Sequence, residues 1–107
     1  MNILKDSESN AISGLGTSQH TCVYSQLYKV ECKSTIVPTS GLSIVINQNG
    51  SPIATSKAPT ANDIYAFVSA AIEATAGDII TVVLSSSLIQ DSVNLNNVKS
   101  IITIDRV

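Results

Sequence analysis

The stretch Gly41 to Lys57, GLSIVINQNGSPIATSK, constrains the fold more than any other because it spells out a strand, a tight turn and a second strand. Leu42, Ile44 and Ile46 alternate with Ser43, Val45 and Asn47, a period of two that suits a strand with one buried face. Asn49-Gly50 then supplies two residues that tolerate positive φ, which a two-residue hairpin turn needs if it is to match the twist of its strands. Ile53, Thr55 and their neighbours are expected to run back antiparallel. Ala76-Gly77-Asp78 interrupts two apolar runs, and another strand is expected from Ile79 to Leu84. Asp78, following Gly77, can bond its own backbone and hold that turn.

The same period recurs elsewhere. From Thr21 onward, Cys22, Tyr24, Tyr28, Val30 and Cys32 share one parity, while Ser25, Lys29, Glu31 and Lys33 share the other, giving a strand with a dry and a wet face. Residues 60–76 carry two periods at once. Thr60 and Asp63 could cap a helix in which Ile64, Phe67, Val68, Ala71 and Ile72 repeat at helical spacing, but Ile64, Ala66, Val68, Ala70 and Ile72 also alternate. With no other helix candidate in the chain, consistency favours a strand. Lys99 to Val107, β-branched through Ile101, Ile102, Thr103 and Ile104, reads as a central strand buried on both sides.

Residues 1–20 behave differently. Asp6, Ser7, Glu8, Ser9 and Asn10 are polar and aperiodic, and Gly14-Leu15-Gly16-Thr17 adds two flexible positions. This reads as an extended N-terminal arm ahead of an antiparallel β domain over 21–107. Ile3, Leu4, Ile12 and Leu15 are its apolar anchors for a neighbouring surface. On this view, deleting Met1 to Leu15 leaves the domain folded and removes its attachment.

Composition narrows the function classes. A chain of 107 residues has room for one core, and 44% hydrophobic against 13% charged residues leaves much neutral surface for a monomer to expose, which favours an oligomer. Its interface is expected to use the large rigid side chains Tyr24, Tyr28, Tyr65 and Phe67. The net charge is -2 and the six basic residues are scattered singly, so no footprint for nucleic acid or anionic lipid appears. Met1-Asn-Ile-Leu-Lys-Asp meets charge after four residues and no apolar run approaches the ~20 residues of a membrane span, so neither a targeting segment nor a membrane partner is expected. If Cys22 to Cys32 is one continuous strand, about 3.3 Å per residue puts the thiols roughly 33 Å apart, beyond the ~7 Å reach of a disulfide. Both are expected to be free.

Catalysis finds little support. His20 is the sole histidine and sits beside the polar leader with no acid nearby in sequence to orient it. His20, Cys22 and Cys32 have no recognised zinc spacing, and Glu31, Asp63, Glu73, Asp78, Asp91 and Asp105 form no calcium-type loop. No phosphate-cradling glycine motif is present, and no catalytic, cofactor or metal residue is assigned.

The order YKVECK, then GLSIVINQNGSPIATS, then AFVSAAIEATAGDIITVVL, then KSIITIDRV resembles the tumour-necrosis-factor and C1q-like jelly rolls, in the bacterial and phage versions found on spore-surface filaments and viral capsids. The resemblance covers roughly Tyr28 to Val107. It implies an all-β fold, a small antiparallel β-sandwich of jelly-roll type, and a homotrimer. The chain lacks a collagen-like Gly-X-Y stalk, and its leader leaves little room for the family's first strands, so whether the jelly roll is complete stays open.

The expectation that follows is a structural interaction protein without enzymatic activity: a homotrimer that decorates a phage capsid, binds the major capsid protein and stabilises the assembled lattice on the virion surface after assembly in the host cytoplasm. The alternative is a receptor- or glycan-binding fibre tip, or a domain of a bacterial spore or cell surface. In that case the loops Ser34 to Ser40 and Ser85 to Asn97 do the recognising.

Overall fold

The computed structural model describes residues 1–35, 41–57, 65–86 and 98–107. Among them are nine strands: β1 (Asn2–Ile3), β2 (Glu8–Ser13), β3 (Gly16–Thr21), β4 (Gln26–Thr35), β5 (Leu42–Gln48), β6 (Ser51–Thr55), β7 (Tyr65–Ala74), β8 (Ile79–Ser86) and β9 (Lys99–Arg106). They build two sheets, a five-stranded one in the order β1-β3-β8-β5-β6 and a four-stranded one in the order β2-β9-β4-β7. From β2 to β9 the chain changes sheet at every step except the hairpin β5–β6. All pairings are antiparallel apart from the short parallel contact of β1 with β3. This is a jelly-roll β-sandwich.

The core lies between the sheets and is written in the parity of each strand. Tyr28, Val30 and Cys32 from β4, Ala66, Val68 and Ile72 from β7, and Ile102 and Ile104 from β9 face Leu42, Ile44 and Ile46 from β5 and Ile80, Val82 and Leu84 from β8. Alternation decides β7. Residues 65–74 are a strand, as consistency suggested, because Ala66, Val68, Ile72 and Ala74 all point inward, whereas a helix would bury a stripe of different members. The candidate cap at Thr60 to Asp63 lies outside the described residues.

The hairpin is as expected. Asn49 and Gly50 have φ of 51° and 83°, and Gln48 pairs with Ser51 across the turn. Among the described residues β6 ends its sheet, and a register shift between Ile46 and Asn47 together with Pro52 suits such an edge position.

Three expectations are corrected. The first twenty residues are not an arm. β2 pairs with β9 from Glu8 opposite Ile104 to Ser13 opposite Lys99, β3 pairs with β8 from Gly16 to Thr21, and the backbone amide of Leu4 donates to the Gln19 carbonyl. Polar, aperiodic residues suffice there because β2 and β3 bury few side chains and are held mainly by their ladders. Cys22 to Cys32 is not one strand, since the chain bends over Cys22 to Ser25 to pass from one sheet to the other before β4 starts at Gln26. β9 is central, flanked by β2 and β4, but only one of its faces is buried: Ile102 and Ile104 are inside, while Ile101 is 53% exposed.

Candidate functional site

The outer face of the four-stranded sheet carries the features a contact surface needs. Its odd-numbered residues line up across the strands by register. Ala11 of β2 sits opposite Ile101 of β9, Ile101 opposite Lys33 of β4, and Lys33 opposite Phe67 of β7. Phe67 is 53% exposed, and Tyr65 beside it on β7 is about half exposed. Large apolar side chains on an open face are what a partner surface covers.

At one end of this face the side chains rise around a groove of about 450 Å³, lined by Ile12, Ser13, Lys33, Thr35, Tyr65, Lys99 and Ile101 among others. The Lys33 ammonium lies 4.0 Å from the centroid of the Tyr65 ring, a cation–π contact that holds both in place. Lys99 Nζ donates to Ser13 Oγ at 3.2 Å, and the Lys99 backbone amide donates to Thr35 Oγ1 at 2.9 Å. Along the same face Ser9 and Thr103 share a 2.9 Å hydrogen bond, and Lys29 pairs with Glu31 at 3.0 Å. The face therefore changes character along its length: apolar and basic at the groove, hydroxyl-rich and mixed in charge beyond it.

The expected site residues are scattered. Leu4, at 3% exposure, belongs to the core, Ile12 packs partly against it, and only Ile3 and Leu15 remain on the surface. An attachment arm built from these four is not what they form. Tyr28 is fully buried, so it is a core residue and not an interface one, and burial pushes its phenol above the usual range. Tyr24 is exposed but lies under the Arg106 guanidinium, 4.6 Å from its ring centroid, away from the groove. Tyr65 and Phe67 alone share the outer face. Sequence reasoning missed Ile101, Lys33 and Lys99 as their neighbours; the signal was the apolar Ile101 at a parity opposite to Ile102 and Ile104.

His20 has an acid after all. It is 5% exposed, its Nδ1 donates to the Leu4 carbonyl at 3.1 Å, and its Nε2 lies 3.2 Å from Asp6 Oδ1. Arg106 Nε reaches the other Asp6 oxygen at 3.0 Å. The contact of His20 Nε2 with Asp6 Oδ1 is close but lacks hydrogen-bond alignment. The trio joins the leader to the end of β9 and contains no nucleophile; it is a clasp. Among the described residues no three His, Cys, Asp or Glu side chains cluster as metal ligands. Residues 36–40 and 87–97, which make up most of the two loops expected to recognise a glycan, lie outside the described residues.

No family model and no curated relative matches this chain. Solved structures do. The C-terminal domain of EclA, a sugar-binding protein, superposes with a TM-score of 0.56 at 18% identity, over 94% of this chain and 81% of that one. Rabbit GITRL gives 0.54 at 25% identity, over 91% and 76%. The pre-peptidase C-terminal domain of a Bacillus anthracis collagenase gives 0.54 at 12% identity, over 96% and 92%. Likeness at these identities speaks to architecture, and it agrees with the strand order: the chain is an all-β sandwich of the jelly-roll kind.

Proposed function

We propose that this chain is a non-catalytic contact domain that assembles as a homotrimer through the outer face of its four-stranded sheet and decorates the surface of a phage capsid. The observation that carries the assembly is the set of large apolar side chains on that face, Ile101 on one side of Lys33 and Phe67 and Tyr65 on the other, each about half exposed in the single chain. Completing the burial of three such side chains contributes roughly 1 to 2 kcal/mol each, and a closed ring repeats the gain at every interface. The capsid partner rests on the sequence resemblance to phage jelly rolls. Attachment then falls to surfaces of the folded domain, since the leader is built into both sheets. Three copies of a weak surface contact on one trimer multiply by effective concentration, and binding the assembled lattice alone stabilises it by mass action.

A second reading is favoured by the groove. Tyr65, Thr35, Ser13 and two lysines around an open hollow suit a sugar, with the ring for stacking and the polar groups for hydroxyls. The likeness to the sugar-binding EclA domain supports the same idea.

Light scattering together with co-sedimentation tests both. The first reading expects a particle near three times 11.2 kDa that pellets with capsids of its phage. A stable monomer at micromolar concentration would sink the trimer, and a trimer that ignores capsids but is retained on a glycan array would replace the first reading with the second.

A further inference from the structure

Asn49-Gly50 places a side-chain amide directly before a residue with no side chain to shield its backbone nitrogen. In such a pair the Gly nitrogen can attack the Asn side-chain carbonyl carbon. Here both residues are exposed and sit at the tip of the β5–β6 turn, where solvent reaches them. The Asn49 side chain, however, is tied in the opposite direction. Its Nδ2 donates to Asp78 Oδ1 at 3.0 Å, and its Oδ1 accepts from the Ile79 amide at 2.8 Å. Asp78 ends the neighbouring turn and Ile79 starts β8, so the amide must release two bonds before it can swing back over its own peptide link.

We propose that Asn49 is a latent site of spontaneous deamidation, held unreacted by the Asp78 carboxylate, and that its product breaks the junction of the two turns. In the reaction the Gly50 nitrogen loses its proton and forms a bond to Asn49 Cγ. The Cγ–Nδ2 bond breaks and ammonia leaves, closing a five-membered succinimide. Water then opens the ring at either carbonyl, giving aspartate or isoaspartate. The sum is amide plus water to acid plus ammonia, and no oxidant or co-reactant is required.

The product undoes the arrangement that delayed it. A carboxylate at position 49 faces the Asp78 oxygen that Nδ2 had donated to, so an attractive contact at 3.0 Å becomes a repulsion between like charges. An isoaspartate also adds a backbone atom to a two-residue turn whose φ values of 51° and 83° match its strands. Gln48 shares the junction through the other carboxylate oxygen: its Nε2 donates to Asp78 Oδ2 at 3.1 Å, whereas Asn49 Nδ2 donates to Oδ1.

The test ages the full chain at mildly alkaline pH and follows aspartate and isoaspartate at position 49 by peptide mapping. Asp78→Ala is expected to deamidate severalfold faster than wild type, and Gln48→Ala at close to the wild-type rate. If Asp78→Ala reacts no faster, or if Gln48→Ala speeds the reaction equally, the restraint is not Asp78 and the proposal falls. Should Asp78→Ala fail to fold, Asp78→Asn, which keeps the shape and gives up one acceptor oxygen, carries the same expectation. Asn49→Asp is expected to melt below wild type at neutral pH, and an unchanged melt would overturn the effect of the product.

Discussion

The buried His20 places its Nε2 3.2 Å from Asp6 Oδ1, and Asp6 is held in turn by Arg106 at 3.0 Å. Fourteen residues separate His20 from Asp6 and a hundred separate Asp6 from Arg106, so the clasp joins the start of the chain to its last strand. His20→Ala also strips the Leu4 carbonyl of its side-chain donor. Leaving such buried groups unpaired costs about 1 to 3 kcal/mol. A lower urea midpoint with an unchanged slope is the expected outcome, and a midpoint equal to wild type would show that the clasp carries no weight.

Removing Met1 to Leu15 is expected to abolish a cooperative melt. The deletion takes away β1 and β2, which strips β9 of the ladder it forms with Glu8 to Ser13 and takes Leu4 out of the core. An extended arm could be cut without this effect. Circular dichroism of the truncated chain decides it, and a wild-type melt would restore the arm.

Asp78 sets the acid limit at the junction of the two turns. The Thr75 backbone amide, at 2.9 Å, and then the Asn49 and Gln48 side chains hold its carboxyl below the usual carboxylate range. A folded pKa below the unfolded one means the contribution is fully present above the unfolded value of about 4 and is lost as pH falls through the folded value. Melting temperature followed from pH 6 downward is therefore expected to drop less for Asp78→Ala than for wild type in that acid window. Parallel curves would remove Asp78 from the account.

The parts of this fold visible in the sequence are those where one side chain in two is buried. Leu42, Ile44 and Ile46 announce β5, Asn49-Gly50 announces its turn, and Tyr28, Val30 and Cys32 announce the inner face of β4. β2 and β3 were hidden because their stability comes from backbone ladders to β9 and β8, which leave no mark on side-chain hydropathy. The outer row was half visible: Tyr65 and Phe67 are conspicuous by type, but their neighbours Lys33 and Ile101 arrive by cross-strand register. Register joins residues 34 apart at Lys33 and Phe67 and 68 apart at Lys33 and Ile101. Asp6 as a partner for His20 escaped for the same reason.

The two thiols are expected to be inert in the folded protein. Both are buried and unpaired, and burial pushes Cys32 up to about 12 and raises Cys22 as well. A raised folded pKa favours the neutral thiol, so this contribution to stability holds below the unfolded value of about 8.5 and is lost as pH rises through the folded one. Alkylation at pH 8 without reductant is expected to label neither cysteine in native buffer and both in denaturant. Rapid native labelling of Cys32 would show that the sandwich opens locally.

The exposed Ile101, Phe67 and Tyr65 make the most direct claim on assembly. Phe67 and Lys33 are register partners on an open face, with Ile101 on the other side of Lys33, so an acid at position 67 sits among groups that a subunit interface must desolvate. Phe67→Asp is expected to convert a trimer to a monomer with little change in the melt of the isolated domain, because the Phe67 side chain lies outside the core. Val68→Asp, one residue on and facing inward, is expected to do the reverse and unfold the chain, since it buries an unpaired charge. Light scattering and circular dichroism on the same samples separate the two outcomes. If Phe67→Asp remains trimeric, the subunits meet elsewhere, and the outer face with its groove is left free for the glycan reading.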